Sequence, residues 1–272
     1  RLVNFVGALC LAATSQALGQ AEKAKSAHDP PGQLFRHAPM SNATRSIVIP
    51  LGGIRFAFDT EQLRTHTVWH GELDLYGPQH AHAKRPFIAQ PNGKLLWGNP
   101  PGIPWRTQPP SAASVPGGNR LTGRFTGTII DGDRVSLHYE LKAGDGERIA
   151  VRLTPSLGQR GVRRTLTLGA CRQPLWFLAN SFAEGESKRE VRANGPEGVT
   201  IRVINIPMKY TEPIVTEEGA ESVYDVREVL TDAEQYWVRV PPHEQAVTID
   251  IITRHGGEME PEPSPSRLAK LG

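Results

Sequence analysis

The feature that most constrains this 272-residue chain is a strict two-residue alternation over residues 134–141. Apolar residues occupy every second position from Val135 to Leu141, and polar residues stand between them. Successive side chains of a β-strand point to opposite faces, so this run predicts a strand with one face in a core and the other in water. Residues 246–251 repeat the pattern.

Less regular runs of the same kind occur along the rest of the chain, and turn residues separate them. Asp131-Gly132-Asp133, Gly144-Asp145-Gly146 and residues 194–198 each predict a hairpin turn. Strands joined by tight turns pair antiparallel, because parallel neighbours need long crossover connections. The further strand-like runs are residues 121–130, 147–153, 162–168, 188–193 and 199–206.

These runs predict an all-β protein, mainly an antiparallel β-sandwich, with one long Pro/Gly-rich loop region. That loop region is residues 78–118, which contain Trp97 and Trp105. Sustained helical periodicity is absent, although residues 60–67 could form a short helix. Residues 217–231 fit neither pattern clearly.

The chain divides by composition into four parts. Residues 1–21 are typical of a secretory signal peptide, and residues 22–45 of a polar leader. The sandwich is expected over residues 46–253, followed by an acidic, proline-rich linker at 254–272 that suggests a further downstream domain. We therefore expect a periplasmic or secreted protein without a membrane span after signal cleavage, since the apolar run is shorter than the roughly 20 residues a spanning helix needs.

Charge and cysteine content exclude some functions and leave others open. The formal net charge of +3 is too small to indicate nucleic-acid binding. Arg160, Arg163 and Arg164 form a local basic cluster, which we interpret as a solvated strand edge. Only Cys10 and Cys171 are present, and Cys10 lies in the expected signal peptide, so we expect Cys171 to be a buried, unreactive thiol.

Ligand-capable side chains are most concentrated in residues 58–73. Asp59, Arg64 and Trp69 could bind a carbohydrate, with the indole under a sugar ring and the charged groups on its hydroxyls. Trp97 and Trp105 of the loop region are candidates for the same ligand. The structural alternative is that Asp59 caps the segment that follows it, Arg64 pairs with an acid, and Trp69 fills the core.

Two other kinds of site are possible from the residue types. His66, His70, His80 and His82 are candidates for a zinc or copper site, although solvated histidines are the simpler interpretation and we predict no metal. A glycosidase needs two carboxylates about 5 to 10 Å apart, which acids of this region could supply. Those acids are Asp59, Glu61, Glu72 and Asp74.

Phe58-Asp59-Thr60 followed by Leu63-Arg64, Trp69 and Gly71 resembles a segment of an uncharacterised bacterial domain family. Residues 132–139 and 164–169 are similar to two further parts of it, so the resemblance covers about residues 46–180. The family is found at the N-terminus of large secreted proteins that also carry propellers like those of sugar dehydrogenases and c-type cytochrome domains. The resemblance implies an exported all-β accessory domain, but the small or hydroxylated residues usual in the family are replaced here by His66 and His70.

The sequence thus predicts an exported accessory or binding module, carbohydrate-related, within a larger redox protein. Its expected partners are a carbohydrate and downstream domains of the same polypeptide. The chain has no Cys-x-x-Cys-His motif, so we expect no cofactor in it and haem c only in a downstream domain. The alternatives are a sugar-active hydrolase on a β-sandwich and a purely structural packing domain.

Overall fold

A computed structural model describes residues 34–75, 88–111, 121–158, 161–183, 189–218 and 221–255. Within these ranges the chain forms strands, turns and irregular connections, with no helix. The all-β class is therefore confirmed. The proposed signal peptide, half of the proposed leader and most of the proposed linker lie outside the described residues.

The strands are numbered in chain order. They are β1 Arg36–Met40, β2 Ala43–Leu51, β3 Ile54–Asp59, β4 Arg64–Asp74, β5 Gln90–Gly98, β6 Trp105–Arg106, β7 Thr122–Asp131, β8 Arg134–Lys142, β9 Arg148–Gly158, β10 Gly161–Leu168, β11 Leu175–Ala183, β12 Arg189–Asn194, β13 Thr200–Glu218, β14 Glu221–Val240 and β15 Val247–His255.

These strands form three sheets in which the neighbouring strands pair antiparallel. The five-stranded sheet has the order β1-β2-β3-β4-β5, and the six-stranded sheet has the order β12-β15-β10-β9-β8-β7. The four-stranded sheet has the order β13-β14-β11-β6. The antiparallel pairing is the one that the short turns of the sequence predict.

The three sheets share one hydrophobic core. Ile47 and Phe58 from the five-stranded sheet, Leu137 and Leu166 from the six-stranded sheet, and Phe177 from the four-stranded sheet all belong to it. Aromatic contacts cross between layers, as where the rings of Phe58 and Tyr139 stack with centroids 5.8 Å apart. The antiparallel sandwich is thus confirmed, with three sheets contributing to its interior.

The five-stranded sheet has buried residues on both of its faces. On β2, Ile47 and Ile49 point into the shared core, whereas Val48 points into a second cluster on the opposite face. Ala57 and Trp69 belong to this second cluster. All six residues of the inner strand β3 are accordingly buried, whereas the first six residues of β5, at the edge of the sheet, are exposed.

The most regular sequence patterns are reproduced closely. Strand β8 alternates between buried apolar and more exposed polar residues from Val135 to Leu141. The turns that flank it join β7 to β8 and β8 to β9, and both pairs are adjacent in the six-stranded sheet. Gly132 and Gly146 have φ angles of 62° and 90°, a region that glycine adopts without steric cost.

Three expectations about connections were wrong. Residues 194–198 do not close a hairpin, because β12 pairs with β15 whereas β13 pairs with β14 in another sheet. The expected loop region 78–118 contains β5 and β6, and its residues 78–87 and 112–118 lie outside the described residues. Strand β1 begins at Arg36, inside the range assigned to the leader.

Two local expectations were also wrong. Residues 60–67 form a turn and then the start of β4 instead of a short helix. Strand β10 lies between β15 and β9, so its arginines are not on a sheet edge. Arg164 is fully buried and Arg163 is exposed, while Arg160 lies outside the described residues. Of the stretch 217–231, which fitted neither pattern, residues 217–218 lie in β13 and residues 221–231 in β14, two strands that pair with each other.

Candidate functional site

Asp59 and Arg64 lie at the two ends of the turn between β3 and β4. The Asp59 carboxylate accepts hydrogen bonds from the backbone N–H groups of Glu61 and Gln62, at 3.0 and 3.1 Å. It also accepts a bond from Arg64 Nε at 3.2 Å. Leu63, fully buried, takes a φ angle of 54° to complete the turn. The carboxylate therefore both caps the turn and neutralises the arginine.

Arg64 also connects this turn to neighbouring strands. Its guanidinium donates to the carbonyls of Asn42, at 3.0 Å, and Asn99. The Asn99 amide in turn donates to the carbonyl of Leu178 on β11, at 3.0 Å. Burial lowers the pKa of Arg64, while its charge interaction and hydrogen bond with Asp59 oppose that shift. These are the contacts that the structural alternative predicts.

The three tryptophans proposed to bind sugar lie in the interior. Trp69 and Trp105 have no exposed surface, and Trp97 is 4% exposed. The Trp69 indole donates to the carbonyl of Glu72 at 2.7 Å, and Trp105 packs on Phe177 with ring centroids 4.6 Å apart. With their rings covered by protein, these indoles offer no face to a sugar in this conformation.

The histidines are not brought together in the part of the chain that the structure describes. His66 and His70 both lie on β4, where four residues span about 13 Å of strand. His66 is half-buried, with Nε2 2.7 Å from the carbonyl oxygen of Ser41. His80 and His82 lie outside the described residues. No group of three or more His, Cys, Asp or Glu within the described ranges could hold a metal ion.

The remaining carboxylates of this segment are engaged with arginines or other groups. Glu72 pairs with Arg55 at 2.8 Å, and Glu61 lies 3.5 Å from Arg45. Asp74 also has an interaction partner. Cys171 is buried as expected, its thiol donates to the Gln173 carbonyl at 3.2 Å, and burial raises its pKa.

A different set of charged residues gathers on the outer face of the six-stranded sheet, the side opposite the core. Arginine and lysine outnumber aspartate and glutamate among the described residues of this face. Its cations include Arg124, Lys142, Arg148, Arg152, Arg163, Arg192 and Arg254, and its acids include Glu140, Glu190 and Asp250.

The acids of the outer face are shared or held in place. Glu190 pairs with Arg254 at 2.8 Å and also with Arg192. Asp250 accepts a hydrogen bond from the Thr165 hydroxyl at 2.6 Å. Because one carboxylate often serves two guanidinium groups here, the face keeps an excess of positive charge.

The densest part of this face is a shallow depression of about 260 Å³ where β7, β8 and β9 lie side by side. Arg124 and Arg148 approach the same oxygen of Glu140, at 3.5 and 3.2 Å, and Lys142 lines the depression beside them. The side chains of Arg124 and Arg148 are 69% and 63% exposed. Three cations thus surround one carboxylate and remain open to water. We call this feature the cationic depression.

Gly123 allows the strands of the cationic depression to approach closely. A Cβ at this position would lie 2.6 Å from the Glu140 carbonyl oxygen and 2.5 Å from the Leu63 side chain. No pattern in the sequence predicted this site. Alternation in β8 and β9 does assign Glu140, Lys142 and Arg148 to outward positions, but their assembly depends on the order of the strands.

Comparisons with known proteins assign no family to the chain. No family model matches it, and no curated protein matches it. The chain is similar to the solved structure of 4-alpha-glucanotransferase from Thermococcus litoralis, with a TM-score of 0.40, 8% identity, and coverage of 78% of this chain and 37% of that one. It is similar to heparinase III with a TM-score of 0.40, 10% identity, and coverage of 82% and 36%. The chain therefore spans a little over a third of the length of these proteins.

Within the described residues, no helix could cross a membrane.

Proposed function

We propose that this chain is a carbohydrate-binding accessory domain that binds an acidic polysaccharide through the outer face of the six-stranded sheet. The single observation that carries this proposal is the cationic depression, where Arg124, Lys142 and Arg148 surround one carboxylate, Glu140. An anionic group of a ligand, added to the Glu140 carboxylate, would neutralise more of the positive charge of this cluster. The sugar carboxylates or sulfates of an acidic glycan supply such groups at regular spacing.

The chemistry of the outer face suits a polyanionic sugar chain. A guanidinium binds a carboxylate or sulfate through two parallel hydrogen bonds, which gives both affinity and orientation. Rows of hydroxyl groups lie next to the arginines, as where Ser136 and Thr154 are 2.7 Å apart and Thr167 and Thr248 are 3.3 Å apart. These hydroxyls can donate to and accept from sugar hydroxyls.

A glycan fits this surface better than a nucleic acid does. The outward positions of β8, β9 and β10 carry no Phe, Tyr or Trp, and the imidazole of His138 is their one aromatic ring, so they offer no row of aromatic faces on which successive bases could stack. The positive charge of the outer face is partly neutralised by carboxylates that pair with its arginines. The net charge of the whole chain is only +3, which is small for a nucleic-acid-binding protein. Nucleic-acid binding is therefore the alternative that the comparison with duplex DNA tests.

The setting of the domain in a longer polypeptide is a further part of the proposal. The apolar segment within residues 1–21 supports export, and the Pro- and Glu-rich residues 254–272 support a linker to another domain. A redox, cytochrome c-containing context depends on the family resemblance alone and stays a prediction. In this proposal the ligand contacts residues of the outer face. The indoles of Trp69, Trp97 and Trp105, which are buried, do not contact it.

Calorimetric titration with three polymers tests the proposal. We expect saturable binding of polygalacturonate, which carries one carboxylate per sugar, and no binding of neutral dextran. Duplex DNA has a higher linear charge density and should nevertheless bind more weakly than polygalacturonate at 0.15 M salt. Equal binding of dextran, or tighter binding of DNA, would show that this face does not select an acidic glycan.

Two substitutions in the cationic depression should change the affinity in opposite directions. Arg148→Ala removes one exposed cation and should weaken polygalacturonate binding about three- to tenfold, the effect of roughly 1 kcal/mol. Glu140→Gln removes the carboxylate that competes for the same guanidinium groups and should tighten binding. Arg172→Ala, at an exposed arginine outside the sheet, is the matched control and should leave the affinity unchanged. Equal weakening by Arg148→Ala and Arg172→Ala would point to nonspecific attraction, because the loss of any exposed cation would then weaken binding by a similar amount.

A further inference from the structure

Arg164 is a fully buried arginine in the centre of the sandwich. From β10 its guanidinium donates to the Ala179 carbonyl at 2.6 Å, to the Asn180 side-chain oxygen at 2.7 Å and to the Thr253 hydroxyl at 3.0 Å. The Trp97 ring covers it at 4.4 Å. Every one of these partners is electrically neutral, so none of them balances the positive charge.

A buried cation without a counter-ion is energetically costly, because desolvation of an ion is only partly offset by neutral dipoles. No carboxylate contacts Arg164 among the described residues. Burial accordingly lowers its pKa, and the largest opposing influence is the phenol of Tyr139. An arginine nevertheless keeps its proton under ordinary conditions, so the charge persists inside the core.

Three hydrogen-bond donors around Arg164 have no acceptor among the described residues. They are Arg164 Nε itself, the Asn180 side-chain nitrogen and the Tyr139 O–H. Asn180 is hydrogen-bonded directly to Arg164, and Tyr139 lies close enough to Arg164 for an electrostatic interaction. The Trp105 indole lies within hydrogen-bonding reach of the Tyr139 oxygen and leaves the Tyr139 O–H free to donate elsewhere. Unpartnered buried polar groups are uncommon in folded proteins, and a cluster of them beside one charge points to a bound species.

We propose that Arg164, Asn180 and Tyr139 hold a small monovalent anion, of which chloride is the common example, in the interior of the sandwich. Each unpartnered group is a donor or, for the tyrosine hydroxyl, can act as one. An anion accepts from all of them at once and also neutralises the guanidinium. An ordered water would find donors around it but no acceptors for its own two hydrogens. It is also neutral, so it would not balance the charge of the guanidinium.

Size and charge restrict the ligand to a halide-like ion. The surrounding groups are fully buried, with relative exposures of 0 to 2% for Arg164, Asn180, Trp105 and Tyr139. A glycan carboxylate attached to a polymer could not reach them without opening the core. This site is therefore separate from the cationic depression, and its test does not depend on the proposed function.

Halide binding is measured directly by crystallography and by thermal unfolding. Crystals of the chain grown with bromide in place of chloride should show an anomalous peak in contact with Arg164. The Tm should rise saturably by about 5 °C when gluconate is replaced by chloride at constant ionic strength. An ordered water without anomalous signal at this position, or an equal Tm in both salts, would overturn the proposal.

Variants of neighbouring arginines separate this site from general salt effects. Arg164→Met should abolish the response of Tm to chloride and the bromide peak. Arg163→Met, one residue along β10 at an exposed position, should keep both. The wild-type bromide crystal decides the question if Arg164→Met does not fold. A chloride response that survives unchanged in Arg164→Met would place the anion elsewhere and contradict the assignment.

Discussion

The interior of the sandwich and the outer face of its six-stranded sheet use arginine in opposite ways. Arg64 and Arg164 are buried. Their N–H groups donate hydrogen bonds to backbone and side-chain oxygens of neighbouring segments. Arg124 and Arg148 are exposed, share a single carboxylate and keep donors open to water. The side chain that a ligand could use is thus distinguished by its position in the sheet and not by its residue type.

Arg64 and Arg164 differ from each other as well. Arg64 has a buried carboxylate, Asp59, at 3.2 Å, whereas Arg164 has neutral partners only. A buried ion pair is held by the geometry of both members, and removal of one member leaves the other charge uncompensated. A buried cation among neutral dipoles has no such partner to lose. The following substitutions measure this difference.

The largest effect is expected for Asp59→Ala. This substitution leaves the buried Arg64 charge without a counter-ion and removes the cap of the β3–β4 turn. We expect a loss of about 3 to 5 kcal/mol in the free energy of unfolding, measured by urea denaturation. Asp59→Asn keeps an oxygen that can cap the turn and should lose less. A loss below about 1 kcal/mol for Asp59→Ala would show that the pair does not hold this region together.

A smaller loss is expected for Arg164→Met in a chloride-free buffer. Methionine fills most of the volume and removes the unpaired charge, while the Thr253 hydroxyl still donates to Asn180 at 3.0 Å. The carbonyl and amide oxygens that lose their donor should lower the free energy of unfolding by about 1 to 3 kcal/mol in the same denaturation experiment. Destabilisation equal to or greater than that of Asp59→Ala would contradict the distinction between the two arginines.

The smallest effect concerns His66, which lies beside Arg64. Burial, followed by the Arg64 charge, lowers the pKa of His66 below its usual 6.5. Between the lowered pKa and about 6.5 the unfolded chain binds more protons than the folded chain, so stability falls as the pH decreases through that window. Replacing His66 with Asn should make the difference in Tm between pH 7.5 and pH 5 smaller. An unchanged difference would mean that His66 does not report on the Arg64 environment.

Much of the fold could be predicted because local patterns determine it. The alternation of β8 and the glycine turns beside it specify strands and antiparallel pairing without knowledge of the rest of the chain. The same holds for Asp59 and Arg64, since an acid and an arginine five residues apart across a turn can pair locally. The order of the strands within the sheets could not be predicted, because β10 pairs with β15, about eighty residues later in the chain.

The two arginine sites were missed for different reasons. Arg164 has the same alternation parity as Leu166 and Leu168, which are buried, so the sequence did contain a signal for its burial. Its proximity to two other arginines favoured the wrong interpretation of a charged edge. The cationic depression joins residues from β7, β8 and β9, and single outward positions on separate strands do not reveal that they form one surface.

The most direct test measures binding and stability together in the double variant Arg124→Ala/Arg148→Ala. Since both side chains are exposed and their contacts with Glu140 are surface ion pairs, the Tm should stay within about 2 °C of the wild type. The affinity for polygalacturonate should fall at least tenfold, and Arg172→Ala should change neither quantity. An unchanged affinity in the double variant would contradict the assignment of binding to the outer face.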